Sequence, residues 1–444
     1  MDFSSALDFI CKEAKRQGAD DFDALAGESN SIGLDLFEGK VKNTEISSSR
    51  GIGIRLFKNG CPGYSFTEKF SKEALAQTVK DAVAHTLLTG PLDLDLPEPG
   101  VLPELDLELW SNELETVSLE QMKKLGLALE ASALAKDKRI ANIPYLGVSR
   151  SSGYSLICNS HGVRYSVKGN SIFAGLGVVA KDGDSTKMGI YSNSARSIDE
   201  FNTTFMAETA VERGISLLGA HSINSGRMPV VLSNRISPQI ISMFTSPFYA
   251  EVVQKGQSKL EGMLNTQIAG DKITITCNPH IKGYPGSRLF DGEGVVSAPC
   301  PVIENGILRN YLYNLESAKK DKRQSTGNAS RDYSGQVGTG FSNLVMDKGS
   351  STLDDLLAAS PECLYITNLE GSSGCSSISG EISIGVQGYL VKSGKIVHPV
   401  DGITVSTNFF TLLKEIDGLS NEYSDTHSSV KVPDILVASM HVAG

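Results

Sequence analysis

The chain has 444 residues and a mass of 47.4 kDa, with 40% hydrophobic and 21% charged positions. That composition buries large cores without staples and sets a prior of two or three domains. The 51 acids outnumber the 41 bases, giving a net charge of −10 and a pI near 5.3; the basic footprint of a duplex-DNA binder is missing, and no direct nucleic-acid contact is expected.

In chain order, Ala6, Phe9, Ile10 and Ala14 predict a helix closed at Gly18. Alternation at Ile32, Leu34 and Leu36 turns at Glu38-Gly39, and alternation at Ile52, Ile54 and Leu56 ends at Asn59-Gly60, a hairpin signal. A second helix is expected from the cap Ser71 through Leu75, Val79, Ala82 and Leu87, stopped by Gly90-Pro91. Residues 91–117 carry four prolines and many acids, and no Lys or Arg occurs between Lys80 and Lys123; they predict an extended, solvated linker, with an acidic docking strip as the sharper alternative. Ser118 to Gln121 fits a capping box opening an amphipathic helix at Leu119, Met122, Leu125 and Leu129. Strands follow over Pro144–Ser194, then a helix from Ile198, Phe201 and Phe205 to near Gly219.

A break at Ser225-Gly226 opens the second half, with a strand at Pro229–Leu232 and a helix started by Ser237-Pro238. Short strands are expected at Lys272–Cys277, Val295–Val302, Tyr365–Asn368, Ile382–Leu390 and Lys395–Val400, with a small helix around Asp354–Leu357. The predicted fold class is α+β. An N-terminal α/β-type region of helices and antiparallel strands precedes a β-rich, sandwich- or barrel-like C-terminal domain. The expected parts are 1–90, the linker 91–117, a central 118–225 and the C-terminal 226–444. The seven cysteines are scattered without CxxC spacing, no leader pattern follows Met1, and no apolar run nears the ~20 residues of a bilayer span. The expectation is a reduced, cytoplasmic chain with no membrane segment.

Catalytic patterns are sparse. No His is followed by Glu, no two His lie three to five residues apart, and GxSxG, Walker A and GxGxxG are absent. A zinc site assembled from distant residues would draw on His398, His427 and His441, although lone histidines are more often structural. Three constellations remain. Asp291-Gly292-Glu293-Gly294 offers two carboxylates to a cation or a peptide N-terminus, against the plainer reading of a tight turn with both acids in solvent. Asn305-Gly306 reads as a hairpin. The stretch Ser325-Thr326-Gly327-Asn328-Ala329-Ser330-Arg331 could present backbone N–H groups and Arg331 to a carboxylate or phosphate, or be a solvated loop anchored by its Arg.

The order of these pieces is more specific than any one of them. DGEG, then VIENGILRNYLYNLESAKK, then STGNASR, together with GEISIG, YLVKSGKIVHPVDG, LLKEID and the early GIGIRLFKNG, resembles the TldD/PmbA family, also known as modulators of DNA gyrase, over nearly the whole chain. The resemblance implies a heterodimeric metalloprotease. Its TldD-type subunit carries a helical HExxxH zinc motif and a C-terminal Cys ligand, and its PmbA/TldE-type subunit lacks both. Here the corresponding helix reads Ser237-Pro238-Gln239-Ile240-Ile241-Ser242-Met243-Phe244, and Val430–Gly444 contains no Cys. The chain therefore resembles the PmbA/TldE-type subunit: no catalytic residue and no metal of its own, with zinc expected in a TldD-type partner. The implied partners are that TldD-type subunit or a second copy in a homodimer, and an unfolded peptide as substrate. Asp291, Gly292, Glu293, Gly294, Asn328 and Arg331 are the expected substrate-binding or interface residues. The alternatives are an autonomous metallopeptidase with a non-standard site, and a binding protein that modulates gyrase.

Overall fold

Long alternating runs in the first half build one antiparallel sheet of six strands, described with all other residues 1–444 in a computed structural model. The strands β1 (Asp21–Phe37), β2 (Lys40–Lys58), β3 (Cys61–Thr67), β4 (Ile140–Asn159), β5 (Arg164–Asp182) and β6 (Ser185–Ala195) lie in the order β3-β2-β1-β4-β5-β6. Four longer helices cover one face: α1 (Phe3–Arg16), α2 (Lys72–His85), α4 (Leu119–Lys136) and α5 (Thr203–Ile215), with the short α3 (Asn112–Thr116) between. The capping box at Ser118 forms as its sequence dictates. Alternation decides what faces the helices. Ile52, Ile54 and Leu56 pack with Leu7, Ile10, Leu75 and Val79 in one core, while Leu36, Leu146, Val148 and Ile172 meet Met122, Leu129 and Met206 in another.

The intervening residues of β2 face the other way. Gly51, Gly53 and Arg55 look toward the C-terminal half, and Tyr333 lies on the two glycines. A Cβ at Gly53 would stand 1.8 Å from the Tyr333 carbonyl oxygen. The GIGIR run is therefore a strand with an apolar side and a side kept bare for close approach.

Apart from α3, residues 91–117 have no regular structure and most of them are exposed, but the segment is tied down at buried anchors. Leu96, Leu107, Leu114 and Val117 are buried. Backbone donors of Leu92, Asn170 and Gly283 bond the carbonyls of Gly60, Leu109 and Leu107 at 2.9, 2.9 and 2.8 Å, and Asn159 Nδ2 bonds the Pro97 carbonyl at 2.7 Å. Acids of the segment meet bases of the chain itself: Asp95 and Asp93 pair with Lys319 Nζ at 2.5 and 3.4 Å, and Glu108 with Lys282 at 2.6 Å. Apolar residues spaced between prolines give the strap its buried anchors. Two differences from expectation have local causes. Helix α2 ends at His85, so Leu87 stands in solvent. The expected strand from Val295 begins only at Cys300, because the Val295 carbonyl is taken by the Asp291 N–H in the preceding turn.

In the second half the strands Gly226–Leu232, Glu362–Glu370, Glu381–Lys392, Lys395–Asn408 and Ile435–Ala443 form a ring, closed by pairing of Thr404–Ser406 with His441–Ala443. A second sheet of five short strands lies beside it, built from Ile275–Cys277, Cys300–Glu304, Ile307–Leu308, Leu344–Met346 and Val430–Lys431. The Asn305-Gly306 hairpin joins two of these strands. A core of 45 buried residues fills the half, with Phe244 stacked on Phe409 at 4.6 Å. The fold is thus α+β, followed by a β-rich half containing a barrel. No helix is long and apolar enough to cross a membrane.

Gly53→Ala is expected to lower stability by about 1–3 kcal/mol, because the new methyl group meets backbone that cannot swing aside. Gly226→Ala, with nothing within 4 Å of the added carbon, should stay within ~0.5 kcal/mol. Urea denaturation of both variants checks the difference.

Candidate functional site

The DGEG turn and the STGNASR loop, separate in sequence, are hydrogen-bonded to each other. Asp291 Oδ1 accepts the N–H groups of Glu293 and Val295 at 2.9 and 3.0 Å, and Oδ2 accepts that of Ala329 at 2.9 Å. Gly292 donates to the Ala329 carbonyl at 3.0 Å, and Gly294 adopts φ +80°, the left-handed turn conformation. Both acids are buried, at 3% and 1% exposure, so the picture of a turn with its carboxylates in solvent is wrong. The three N–H bonds to Asp291 replace the water its carboxylate loses, and Arg55 and the Leu315 N–H do the same for Glu293. Asn328 is a buried strut, giving Nδ2 to the Gly340 carbonyl at 2.9 Å and to Cys277 Sγ at 3.3 Å.

These elements clamp the second half onto the sheet through four buried charges. Asp23 of β1 and Arg55 of β2 are directly paired across the strands. Arg55 Nε and Nη2 donate to Asp23 Oδ2, the former at 2.9 Å, and Arg55 Nη1 donates to Glu293 Oε1 at 2.8 Å. Arg331 Nη1 donates to Asp23 Oδ1, and Glu293 Oε2 accepts the Leu315 N–H at 2.8 Å. All four side chains are at most 2% exposed, and two cations face two anions. Burial alone would raise the Asp23 carboxyl; Arg331 and Arg55 outweigh it and hold the group below its ordinary range. Burial would lower the Arg55 guanidinium, but Asp23 and Glu293 keep it raised and charged. Asp291, buried beside Glu293, is pushed up to about 7 against the pull of its N–H donors.

Sequence reasoning found Asp291, Glu293 and Arg331 and missed Asp23 and Arg55. The signal was present: each is a lone charge between apolar neighbours in an alternating strand, Phe22-Asp23-Ala24 and Ile54-Arg55-Leu56. None of the six expected site residues lines either of the two clefts described next.

The open space lies elsewhere. A cleft of about 450 Å³ runs between the bare face of β4–β6 and the C-terminal half, with Ser151, Ser152, Arg196, Pro285 and His427 among its walls. It shares Ser194 and His427 with a second cleft of about 520 Å³, which Arg213, Arg235, Gln239, Asn368 and Gln387 help to line. Gln239 belongs to the helix Ser237–Met243 and gives its amide to the Arg235 carbonyl at 3.1 Å. The three candidate histidines do not converge. His398 stacks on His221 at 4.1 Å, His427 packs at 5.7 Å from the Tyr284 ring, and His441 pairs in register with Ser406 on the barrel. No group of three or more His, Cys, Asp or Glu is arranged to hold a metal ion.

Arg331→Ala would leave a carboxylate oxygen of Asp23 buried without its cation, and is expected to destabilise the chain by about 3–5 kcal/mol. Chemical denaturation measures this, and a change below 1 kcal/mol would remove the clamp from the account.

Comparison with known proteins gives the same frame. Models of the PmbA/TldA metallopeptidase match as domain 1 over residues 22–86, as the central domain over 112–218 and as the C-terminal domain over 225–444. The chain is 27% identical to the metalloprotease PmbA homolog of Buchnera aphidicola (subsp. Acyrthosiphon pisum), covering 93% of this chain and 91% of that one. It is 25% identical to the metalloprotease PmbA of Escherichia coli O157:H7, covering 99% and 95%. A crystal structure of a Thermotoga maritima protein, described as a candidate modulator of a DNA gyrase, superposes with a TM-score of 0.90 at 27% identity, covering 100% of both chains. TldE from Thermococcus kodakarensis shares the fold, with a TM-score of 0.89 at 20% identity over 99% of this chain and 100% of that one. From the first strand to the last residue, the chain belongs to the PmbA/TldD family.

Proposed function

We propose that this chain is the PmbA/TldE-type, non-catalytic subunit of a TldD/TldE-type zinc metallopeptidase of the cytoplasm. It pairs with a TldD-type subunit, or with a second copy of itself, and shapes the cavity through which unfolded peptides reach the metal. The observation that carries this reading is the helix Ser237–Met243 in the wall of the 520 Å³ cleft. By the family resemblance it takes the place of the zinc-binding helix of TldD-type subunits, and it reads Ser, Pro, Gln, Ile, Ile, Ser, Met.

Zinc needs imidazole, thiolate or carboxylate ligands, and these side chains offer none. The amide of Gln239 faces the cleft already bonded to the Arg235 carbonyl. The residues present do not fit the metal, so no step of hydrolysis is assigned to them. In such a complex the metal of the partner supplies the chemistry, by making bound water a nucleophile near neutral pH. The work left to this chain is geometric. Asp291, Gly292, Glu293, Gly294, Asn328 and Arg331 act from inside the fold by fixing the C-terminal half against the sheet, so that the clefts between them keep their width. A narrow groove favours extended chains, whose backbone groups are free for sequence-tolerant hydrogen bonding.

The test is peptidase activity on a permanently unfolded polypeptide, measured for this chain alone, for a TldD-type subunit alone and for the mixture. Hydrolysis by the mixture that exceeds the sum of the two alone is expected. Equal activity with and without this chain would overturn the reading, and hydrolysis by this chain alone would favour an autonomous enzyme.

A further inference from the structure

Two guanidinium groups in the cleft beside Ser237–Met243 have no carboxylate partner. Arg235 donates from Nε to the Thr367 carbonyl at 3.2 Å and from Nη2 to Thr367 O and Asn368 Oδ1. Arg213 donates from Nη1 to the Ile190 carbonyl at 2.7 Å and lies 5.0 Å above the Tyr191 ring. Both are held from behind by neutral oxygens and a ring, leaving Arg235 Nη1 and Arg213 Nη2 without an acceptor in the chain. Asp425, the acid that acts on Arg213, accepts the Tyr191 hydroxyl at 2.6 Å.

The surroundings share this bias. Neither of the two joined clefts has an Asp or Glu in its lining, although 51 of the 444 residues are acids. Lys168, Arg196, Arg213 and Arg235 are all there. Four cations, with Asp425 acting on Arg213 but no acid in the lining itself, make this part of a chain of net charge −10 favourable to an anion. Burial, with Arg213 nearby, draws the Arg235 guanidinium down to about 10, the direction expected of cations without counter-charge. The apolar part of the lining says what kind of anion fits. Phe173, Met188 and Ile190 open onto the same cleft at 39%, 36% and 53% exposure, and Gln239 and Gln387 offer amides. Guanidinium forks, apolar side chains and amides side by side suit a polypeptide that carries a carboxylate.

We propose that this cleft captures a carboxylate of an extended polypeptide, either an Asp or Glu side chain or the C-terminus, on Arg213 and Arg235, while neighbouring apolar residues of that polypeptide lie on Phe173, Met188 and Ile190. The captured polypeptide is a peptidase substrate only if the subunit reading above is right; the binding itself is a property of this chain.

Isothermal titration of the full chain, without a partner, tests it. The probes are an unstructured peptide rich in Glu and apolar residues, its Glu→Gln counterpart, and the same Glu peptide with an amidated C-terminus. A charge-assisted contact corresponds to roughly tenfold or more in affinity. A tenfold loss with Glu→Gln assigns the side chain, and a tenfold loss on amidation assigns the terminus; no loss with either overturns the proposal. Gln239→Glu, at an exposed position, places a tethered carboxylate beside Arg235, gives up the amide's bond to the Arg235 carbonyl, and should weaken the peptide about tenfold while the chain keeps a cooperative melting transition. Unchanged affinity in that variant also overturns it. Tighter binding of a single-stranded oligonucleotide than of the Glu peptide would overturn the choice of polypeptide. Peptide binding as expected, with no hydrolysis on mixing with a TldD-type subunit, would sink the subunit reading and leave this one standing; hydrolysis with no peptide bound here would do the reverse.

Discussion

Two arginines and two carboxylates stand out of water where the sheet meets the C-terminal half. Such a cluster costs several kcal/mol per ion to desolvate, and only close mutual pairing offsets that. Asp23, Arg55, Glu293 and Arg331 meet the condition, because Asp23 spends one oxygen on each arginine and Glu293 divides its oxygens between Arg55 and a backbone N–H. The consequence is positional rather than simply stabilising. Any slide of one half over the other would strand a charge, so the two halves have one seating.

The neighbouring features follow from that seating. Gly51 and Gly53 are bare because Tyr333 must come down onto β2 beside Arg55. The DGEG turn is buried because Glu293 must reach Arg55, and its burial in turn requires the three N–H groups around Asp291. The strap of residues 91–117 then crosses between the halves, bonding Gly60 and Asn159 on one side and Gly283 on the other. What remains open between the two halves are the joined clefts lined by β4–β6 and the C-terminal loops. On the proposed reading, a subunit without metal ligands determines what reaches a partner's metal through the fixed width of such clefts.

The elements were legible where local physics decides them: the Asn59-Gly60 hairpin, the Ser118 capping box, the strands flanking Asn305-Gly306. The junction was not, and β1–β2 shows why. The Phe37–Lys40 end of the hairpin starts in one register, and a bulge between Asp35 and Leu36 shifts it by one residue. Without the bulge Asp23 would face Ile54; with it, Asp23 faces Arg55. A one-residue slip turns every side chain to the opposite face, and no local pattern announces it. The anchors of the strap were hidden for a related reason. Prolines and acids describe an extended path, but whether Leu96 and Leu107 are wet depends on surfaces supplied by residues far away in sequence. Arg213 in α5 and Arg235 in the turn before the helix Ser237–Met243, more than twenty residues apart, had no motif to join them.

Family membership leaves one question on which the account turns, namely whether this chain holds a metal. The direct measurement is zinc per chain in protein purified alone without chelators. The account predicts a negligible amount, since the helix Ser237–Met243 offers no ligand and His398, His427 and His441 stand apart. One tightly held zinc per chain would contradict it, and those three histidines would be the first residues to replace.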